Sequence, residues 1–155
     1  MVFVWNVKNI AQHKQKSLLI SLTIPGKPIP LKRHRSTTGG RMYDPSSKDK
    51  EGMWLQIARH RPKLPIVGDV YMKVIFYMDR PKHHYRTGKY AHLLKEGVPE
   101  RHSIRPDLDN LVKMIADVIQ GKDRMICDDS QICILQAEKI YGIPTRTEVF
   151  IEEIS

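Results

Sequence analysis

The chain has 155 residues, of which 41% are hydrophobic, and it carries a formal net charge of +9. This length is typical of one domain, and the apolar content is sufficient for a core, which argues against a disordered chain. No apolar run approaches the roughly 18–20 residues of a membrane-spanning helix, and residues 1–16 lack the pattern of a secretion signal. We therefore expect a cytoplasmic protein that does not enter a membrane.

The charge is distributed unevenly along the chain. Residues 1–100 contain 19 Lys and Arg against 7 Asp and Glu, whereas residues 101–155 contain 7 against 10. A basic surface attracts nucleic acid, the commonest polyanion in a cell. Clustered carboxylates would repel its phosphates unless a cation lay between them, so the acidic part requires a separate explanation.

The first half of the chain predicts a strand, a helix and a second strand. Residues 1–16 have no clear period and are treated as an N-terminal extension of unknown structure, followed by one domain over residues 17–155. Ser17–Ile24 is apolar and β-branched, which favours a strand that ends at Pro25 and Gly26. A basic segment with a Gly39-Gly40 turn follows. Ser46–Arg61 has apolar residues at helical spacing, and Asp69–Met78 alternates as a strand does.

The second half predicts a long loop, a helix and two strands. Residues 79–105 form a basic loop, which at this length is expected to be functional or disordered. Pro106–Gln120 is the clearest helix, with Pro106 suited to its first position and a sustained apolar face. Residues 131–141 and 147–154 predict two strands joined as a hairpin through Gly142. The order predicts an α+β domain with a small mixed sheet and two main helices.

Two cysteines, Cys127 and Cys133, lie six positions apart. They have no partnering CxxC or His pair, so the spacing does not indicate zinc. We expect buried, unpaired thiols in a reducing compartment.

Acidic residues at the start of the predicted helix are the first candidate site. Asp107 and Asp109 lie in its first turn, where acids commonly cap free N–H groups and favour the helix dipole. If the leading residue is still extended, however, both carboxylates can reach one point near the helix end.

The Asp128-Asp129 pair is the second candidate. Such a pair in a loop is commonly just solvated, but it would join the first pair if the following strand lay beside the helix start. Converging carboxylates would demand a cation, and oxygen-only ligation suits Mg²⁺ or Mn²⁺. Lys113 follows Asp109 by one turn and precedes Asp117 by one turn. One interpretation is an ion-pair ladder of Asp109, Lys113 and Asp117 on the exposed face of the helix. The other places Lys113 at the rim of the metal site, where it holds a phosphate oxygen.

Two segments carry a family resemblance. Arg105-Pro106-Asp107-Leu108-Asp109-Asn110-Leu111-Val112-Lys113, with Asp117 and the downstream Cys127-Asp128-Asp129-Ser130-Gln131-Ile132, resembles the RusA family of Holliday junction resolvases. The upstream segment from Ile24 to Arg35 is similar to the opening strand and basic Pro-rich turn of that family. The resemblance extends from about Ser17 to Ile154 and leaves residues 1–16 unmatched.

The resemblance implies a RusA-like homodimer that binds four-way DNA junctions and makes paired symmetric nicks with Mg²⁺, for which Mn²⁺ can substitute. By position it implies Asp107, Asp109, Asp129 and Lys113 as catalytic residues, and it implies Asp107, Asp109, Asp129 and the adjacent Asp128 as metal ligands. It places DNA contacts at basic residues of the Pro-rich turn and of the loop before the helix: Lys32, Arg33, Arg35, Arg80, Lys82, Arg86 and Arg105. Exposed apolar side chains at Met53, Trp54 and Met72 would give weak support for a dimer.

Two other functions use the same residues. A structure-specific nuclease acting on flaps or forks would have the same acids. A non-catalytic nucleic-acid-binding protein would use these acids only for capping and solvation. The resemblance also implies a nucleoid-associated location, in a bacterial or a prophage setting.

Overall fold

The computed structural model describes residues 18–154 and contains, within that range, six β-strands and two α-helices. Residues 1–16, the proposed N-terminal extension, lie outside the described residues. In chain order the elements are β1 (Leu19–Pro25), β2 (Arg35–Ser36), β3 (Met42–Tyr43), α1 (Ser47–Ile57), β4 (Asp69–Met78), α2 (Leu108–Ile119), β5 (Ile132–Tyr141) and β6 (Arg146–Ile154). None of the helices in residues 18–154 has the length and apolar character to cross a membrane. The expected α+β arrangement with two main helices is confirmed.

Four strands form a mixed sheet in the order β1-β6-β4-β5. β6 is antiparallel to both of its neighbours, whereas β5 is parallel to β4. β2 and β3 form a separate two-stranded hairpin. β5 is therefore an edge strand, and β6 is an interior strand.

The predicted hairpin between the last two strands is wrong, because β4 lies between β5 and β6. The connection passes over the end of β4, where the Gly142 N–H donates to the Met78 carbonyl at 3.0 Å. A Cβ at Gly142 would lie 2.5 Å from Cδ1 of Tyr77, so the close approach requires glycine. An alternating pattern predicts a strand but does not specify which strand pairs with it. In the structure β6 is the interior strand, and its residues Thr147, Val149 and Ile151 are buried.

The core lies between one face of the sheet and the two helices. Every second residue of β4, from Val70 to Met78, is buried. α2 contributes the largest apolar face, comprising Leu111, Met114, Ile115, Val118 and Ile119. Each such side chain adds about 1.5–3 kcal/mol when fully buried, so packing of this face holds α2 in place.

Residues 79–105 are ordered rather than an unstructured loop. They contain short 3-10 turns at Lys82–His84 and Gly88–Tyr90. The segment then returns to the sheet, where Arg101 forms a β-bridge with Ile140 near the end of β5. Residues 100–102 therefore cover the outer edge of β5 at the C-terminal end of that strand.

Two expectations about exposure are wrong. Both cysteines are unpaired as expected, but they are exposed, because Cys133 lies on an edge strand and Cys127 in the preceding turn. Met53 and Met72 are buried in the core rather than exposed, and Trp54 is half-buried beneath the Arg124 guanidinium. These residues therefore offer no apolar surface for a dimer.

Candidate active site

The start of α2 presents two carboxylates to solvent. Asp107 is the N-cap, with an extended backbone (φ −71°, ψ 139°), and its side chain makes no capping hydrogen bond. The helix thus begins after Pro106, and the prediction that Pro106 occupies the first helical position is wrong. Asp109 lies in the first turn and is 64% exposed. The capping role considered for Asp107 is absent, which leaves its carboxylate available to a ligand.

Lys113 contacts the second of these acids. Its Nζ lies 3.3 Å from the Asp109 carboxylate, and the Lys113 side chain is 62% exposed. An exposed pair of this kind contributes about 0–1 kcal/mol to stability. The lysine charge beside the acids therefore has little structural value and can act on a bound phosphate.

Asp117 does not continue the expected ladder with Lys113. Its carboxylate instead accepts from Lys50 of α1 at 2.6 Å and from Nε2 of Gln120 at 3.4 Å. Lys50 also binds Asp44 at 2.7 Å. Burial by itself lowers the pKa of Lys50, but its bonds to the two carboxylates outweigh that effect and raise the pKa above its ordinary value. Asp117 thus joins the two helices.

The Asp128-Asp129 pair occupies a tight turn before β5. The Asp128 carboxylate accepts from the Ser130 N–H at 2.9 Å and caps a 3-10 turn. Hydrogen bonds from Ser130 lower the pKa of Asp128. Within residues 18–154, no hydrogen bond engages the Asp129 carboxylate, while its N–H donates to Oε1 of Gln120 at 3.0 Å. Asp128 shapes the turn, and Asp129 projects from it.

Gln131 completes this turn with both ends of its amide. Its Oε1 accepts from the N–H groups of Cys127 and Asp128 at 2.8 and 2.9 Å. Its Nε2 donates to the carbonyls of Ile66 and Gly68 at 2.9 and 2.8 Å. This role of Gln131 was not predicted, although the Asp128-x-x-Gln131 spacing is that of a capping box.

The two acidic pairs lie at opposite ends of α2. Gln120, which binds Asp129, is the C-cap of the helix, whereas Asp107 is its N-cap. A helix of 12 residues is about 18 Å long. β5 starts beside the end of α2 and runs back toward its beginning, where Lys139 contacts Pro106. Across residues 18–154, no group of three or more His, Cys, Asp or Glu side chains is arranged to hold a metal ion. The expected convergence of both pairs therefore does not occur within one chain.

Basic residues surround the start of α2 instead. The Leu31 N–H donates to the Asn110 carbonyl at 3.0 Å, which joins the Pro-rich turn to the first part of α2. Lys32, Arg33 and Arg35 follow and are exposed on or beside the β2–β3 hairpin. We call residues 32–43 the basic hairpin. Its charge borders the Asp107–Asp109 end of the helix.

The basic residues between 79 and 105 differ in availability. Lys82, Arg86 and Arg105 are exposed. Arg80 is half-buried, donates to the Pro99 carbonyl at 2.9 Å and lies 5.0 Å from the centre of the Tyr141 ring. Arg80 therefore supports the fold of the segment. Arg86 also donates from Nε to the Leu94 carbonyl at 3.3 Å, although the residue is exposed, and Lys82 and Arg105 are exposed.

The chain is similar in sequence to known proteins. The family model described as endodeoxyribonuclease RusA matches residues 25–152. An uncharacterized protein of Bacillus subtilis, YqaN, is 33% identical over 141 residues, which cover 88% of this chain and 97% of the relative. A Lactococcus phage r1t protein described as a crossover junction endodeoxyribonuclease is 30% identical over 115 residues, 72% of this chain and 77% of the phage protein.

Proposed function

Because the chain belongs to the family of RusA endodeoxyribonucleases, we propose that it is a Mg²⁺-dependent homodimer that resolves four-way DNA junctions by paired symmetric nicks. Family membership makes it an endodeoxyribonuclease of the Holliday junction resolvase class. The observation that carries the finer proposal is the exposed pair of Asp107 and Asp109 beside the basic hairpin. Acids that accept a metal and cations that accept phosphates then lie at the same end of α2.

The donor set fits Mg²⁺. Asp107 and Asp109 offer carboxylate oxygens, the preferred ligands of this ion, and neither carboxylate is used by helix capping. We assign the metal to these two residues and Asp129, with Asp128 holding the turn; Mn²⁺ can substitute. The bound ion supplies Lewis acidity at the scissile phosphate. Lys113, already beside Asp109, would hold a phosphate oxygen and stabilise the charge that develops there.

A second copy of the chain is proposed to supply Asp129, because that residue lies at the far end of α2 from Asp107. The β5 edge is the proposed contact: Ile134 and Leu135 on this strand are each 50% exposed. Residues 100–102 already occupy the edge at residues 139–141, so the open part of the edge is residues 132–138. Two-fold pairing of two such edges is antiparallel, which places Ile132 of one copy toward Glu138 of the other. The end of β5 is where Lys139 meets Pro106, next to Asp107.

Mixing two inactive variants tests this shared site. We expect Asp107→Asn and Asp129→Asn to abolish nicking separately, since each removes a metal ligand. In a mixed dimer of the two, one site contains both substitutions and the other contains neither, so the mixture should recover single nicks. No recovery in a mixture shown to exchange subunits would refute the shared site.

A matched pair of surface variants tests the contact itself. Leu135→Glu should shift the protein to a monomer in sedimentation, because it buries a charge in the proposed interface. Leu64→Glu is the control, since Leu64 is 79% exposed in the loop before β4. A dimer that survives Leu135→Glu would exclude the β5 edge as its interface.

Cleavage of synthetic substrates tests the activity. The protein is incubated with a four-way junction, a flap, a fork and a linear duplex, with and without Mg²⁺. We expect paired nicks on the junction that require the metal, and none with Asp107→Asn, which should still bind. Faster cutting of the flap or fork would favour the alternative structure-specific nuclease. Binding to the junction without any cleavage would favour the non-catalytic alternative.

The phosphate contacts are proposed to come from the exposed cations of the basic hairpin and of residues 79–105. Arg33→Gln and Arg35→Gln should weaken junction binding and reduce its salt dependence by about one phosphate each. We place the protein in the cytoplasm, on the nucleoid, and its similarity to the phage protein is consistent with a prophage origin.

A further inference from the structure

Lys139, near the end of β5, holds the segment that leads into α2. Its Nζ donates to the carbonyl oxygen of Ile104 at 2.6 Å and also to that of Pro106. These residues are more than 30 positions away in sequence, at 35 and 33 positions respectively. Pro106 immediately precedes Asp107, so the ammonium lies within one peptide unit of the first candidate metal ligand.

The backbone reinforces this contact. The His102 N–H donates to the Lys139 carbonyl at 3.0 Å, and the Tyr141 N–H donates to the Glu100 carbonyl at 2.9 Å. The buried ring of His102 packs edge-on against Tyr141, with the ring centres 5.0 Å apart. Residues 100–106, which we call the entry segment, are thus fixed to β5 at both ends, by its backbone at 100–102 and by the lysine side chain at 104–106.

The entry segment has no helical hydrogen bonds of its own near Asp107. Residues 104–106 precede the helix, Pro106 has no N–H to donate, and Asp107 still has an extended backbone. The Asp107 carbonyl accepts the first helical hydrogen bond, from the Leu111 N–H at 3.2 Å, but that bond does not hold residues 104–106, whose path sets the direction in which the backbone of Asp107 enters the helix. An ammonium with three donors can satisfy two carbonyls at once, and such charge-assisted bonds are stronger than neutral ones.

We infer that Lys139 is a positioning residue: by binding the carbonyls of Ile104 and Pro106, it sets the Asp107 carboxylate where it can share a divalent cation with Asp109. This inference rests on the proposed metal-dependent function. It differs from a direct role in DNA binding, because the lysine donates to two backbone oxygens of its own chain. It also differs from a role in overall stability, because the contact acts on one short segment.

Three variants separate these roles. Lys139→Met keeps the length of the side chain and removes the donors, whereas Lys139→Arg keeps donors that can reach two carbonyls. Lys122→Met is the control, since Lys122 is exposed in the loop after α2 and its loss removes one positive charge. Each is compared with the wild type in the full-length protein.

The first measurement is the Mn²⁺ concentration that gives half-maximal nicking of a four-way junction. We expect Lys139→Met to raise it about 10- to 100-fold, as loss of a group that orients a metal ligand commonly does. Lys139→Arg should recover most of this loss, and Lys122→Met should change the value less than twofold. A normal Mn²⁺ dependence with weaker metal-free junction binding would instead assign Lys139 to DNA contact and overturn the inference.

The second measurement does not depend on cleavage. Amide hydrogen exchange of the free protein should become at least tenfold faster at residues 105–111 in Lys139→Met, with unchanged exchange in β4. Unchanged exchange in residues 105–111 would overturn the inference, as would a uniform increase over the whole domain. If the wild type itself cuts no DNA substrate, the proposed function fails, while the exchange experiment still decides whether Lys139 orders the entry segment.

Discussion

Replacing Gln131 with alanine should destabilise the protein more than removal of any exposed glutamine. The side chain makes four hydrogen bonds, two to N–H groups and two to carbonyls, all between 2.8 and 2.9 Å. Each bond contributes about 0.5–1.5 kcal/mol net. Water can replace the partner of the exposed amides of Cys127 and Asp128 but reaches the part-buried carbonyls less well. We therefore expect a loss of about 2–3 kcal/mol, below the full sum.

Urea unfolding of the wild type and three variants measures this effect. Gln56→Ala is the control, since Gln56 makes one exposed bond to Gly52 at 3.3 Å, and it should change stability by less than about 0.5 kcal/mol. Gln131→Glu should cost at least as much as Gln131→Ala, because it replaces the donor to the carbonyls of Ile66 and Gly68 with a negatively charged oxygen that repels both. A loss below about 0.5 kcal/mol in Gln131→Ala would refute the view that this amide holds the turn.

Three further predictions follow from other contacts. Gln120→Ala should slow nicking, because it releases the Asp129 N–H, while lowering stability by only about 1 kcal/mol; equal rates for variant and wild type would contradict it. Leu111→Ala should cost about 2–5 kcal/mol in urea unfolding, since Leu111 is fully buried in α2. Burial, and then the charge of Lys139, lower the pKa of His102. Between that pKa and about 6.5 the unfolded chain binds the extra proton, so stability should fall as the pH drops below 6.5. The fall should be smaller in His102→Phe, and an identical pH profile for the two proteins would refute this assignment.

Local elements were predictable because their signals are local. The alternation of β4 gave its bounds, Asp69–Met78, and the apolar period of α2 gave the helix and its buried face. The start of α2 was displaced, because a proline can stand before an N-cap as well as after it. Asp107 and Asp109 were identified from two sources, their place in the first turn and the family motif.

Pairings distant in sequence were not predictable. Whether β5 pairs with β4 or with β6 depends on which arrangement buries more apolar surface in the whole sheet. The alternating patterns of β5 and β6 alone do not contain that information. For the same reason the sequence left open whether Asp129 lies beside the helix start, and in the structure β5 begins beside the helix end. The roles of Lys50 and Lys139 have no local signal, since each acts on residues supplied by another part of the chain.

The interior place of β6 has a consequence for how the domain is made. Of the described elements, β6 is the last to leave the ribosome, yet it must enter between β1 and β4. Until it does, both of these strands present unpaired edges, and the pairing of β1 across the whole length of the domain cannot begin. The pairings of β1 and of β4 with β6 therefore both wait for β6, whereas β4 and β5 can pair before it. Any substitution that weakens β6 exposes two strand edges at once, and unpaired edges favour misfolding and aggregation.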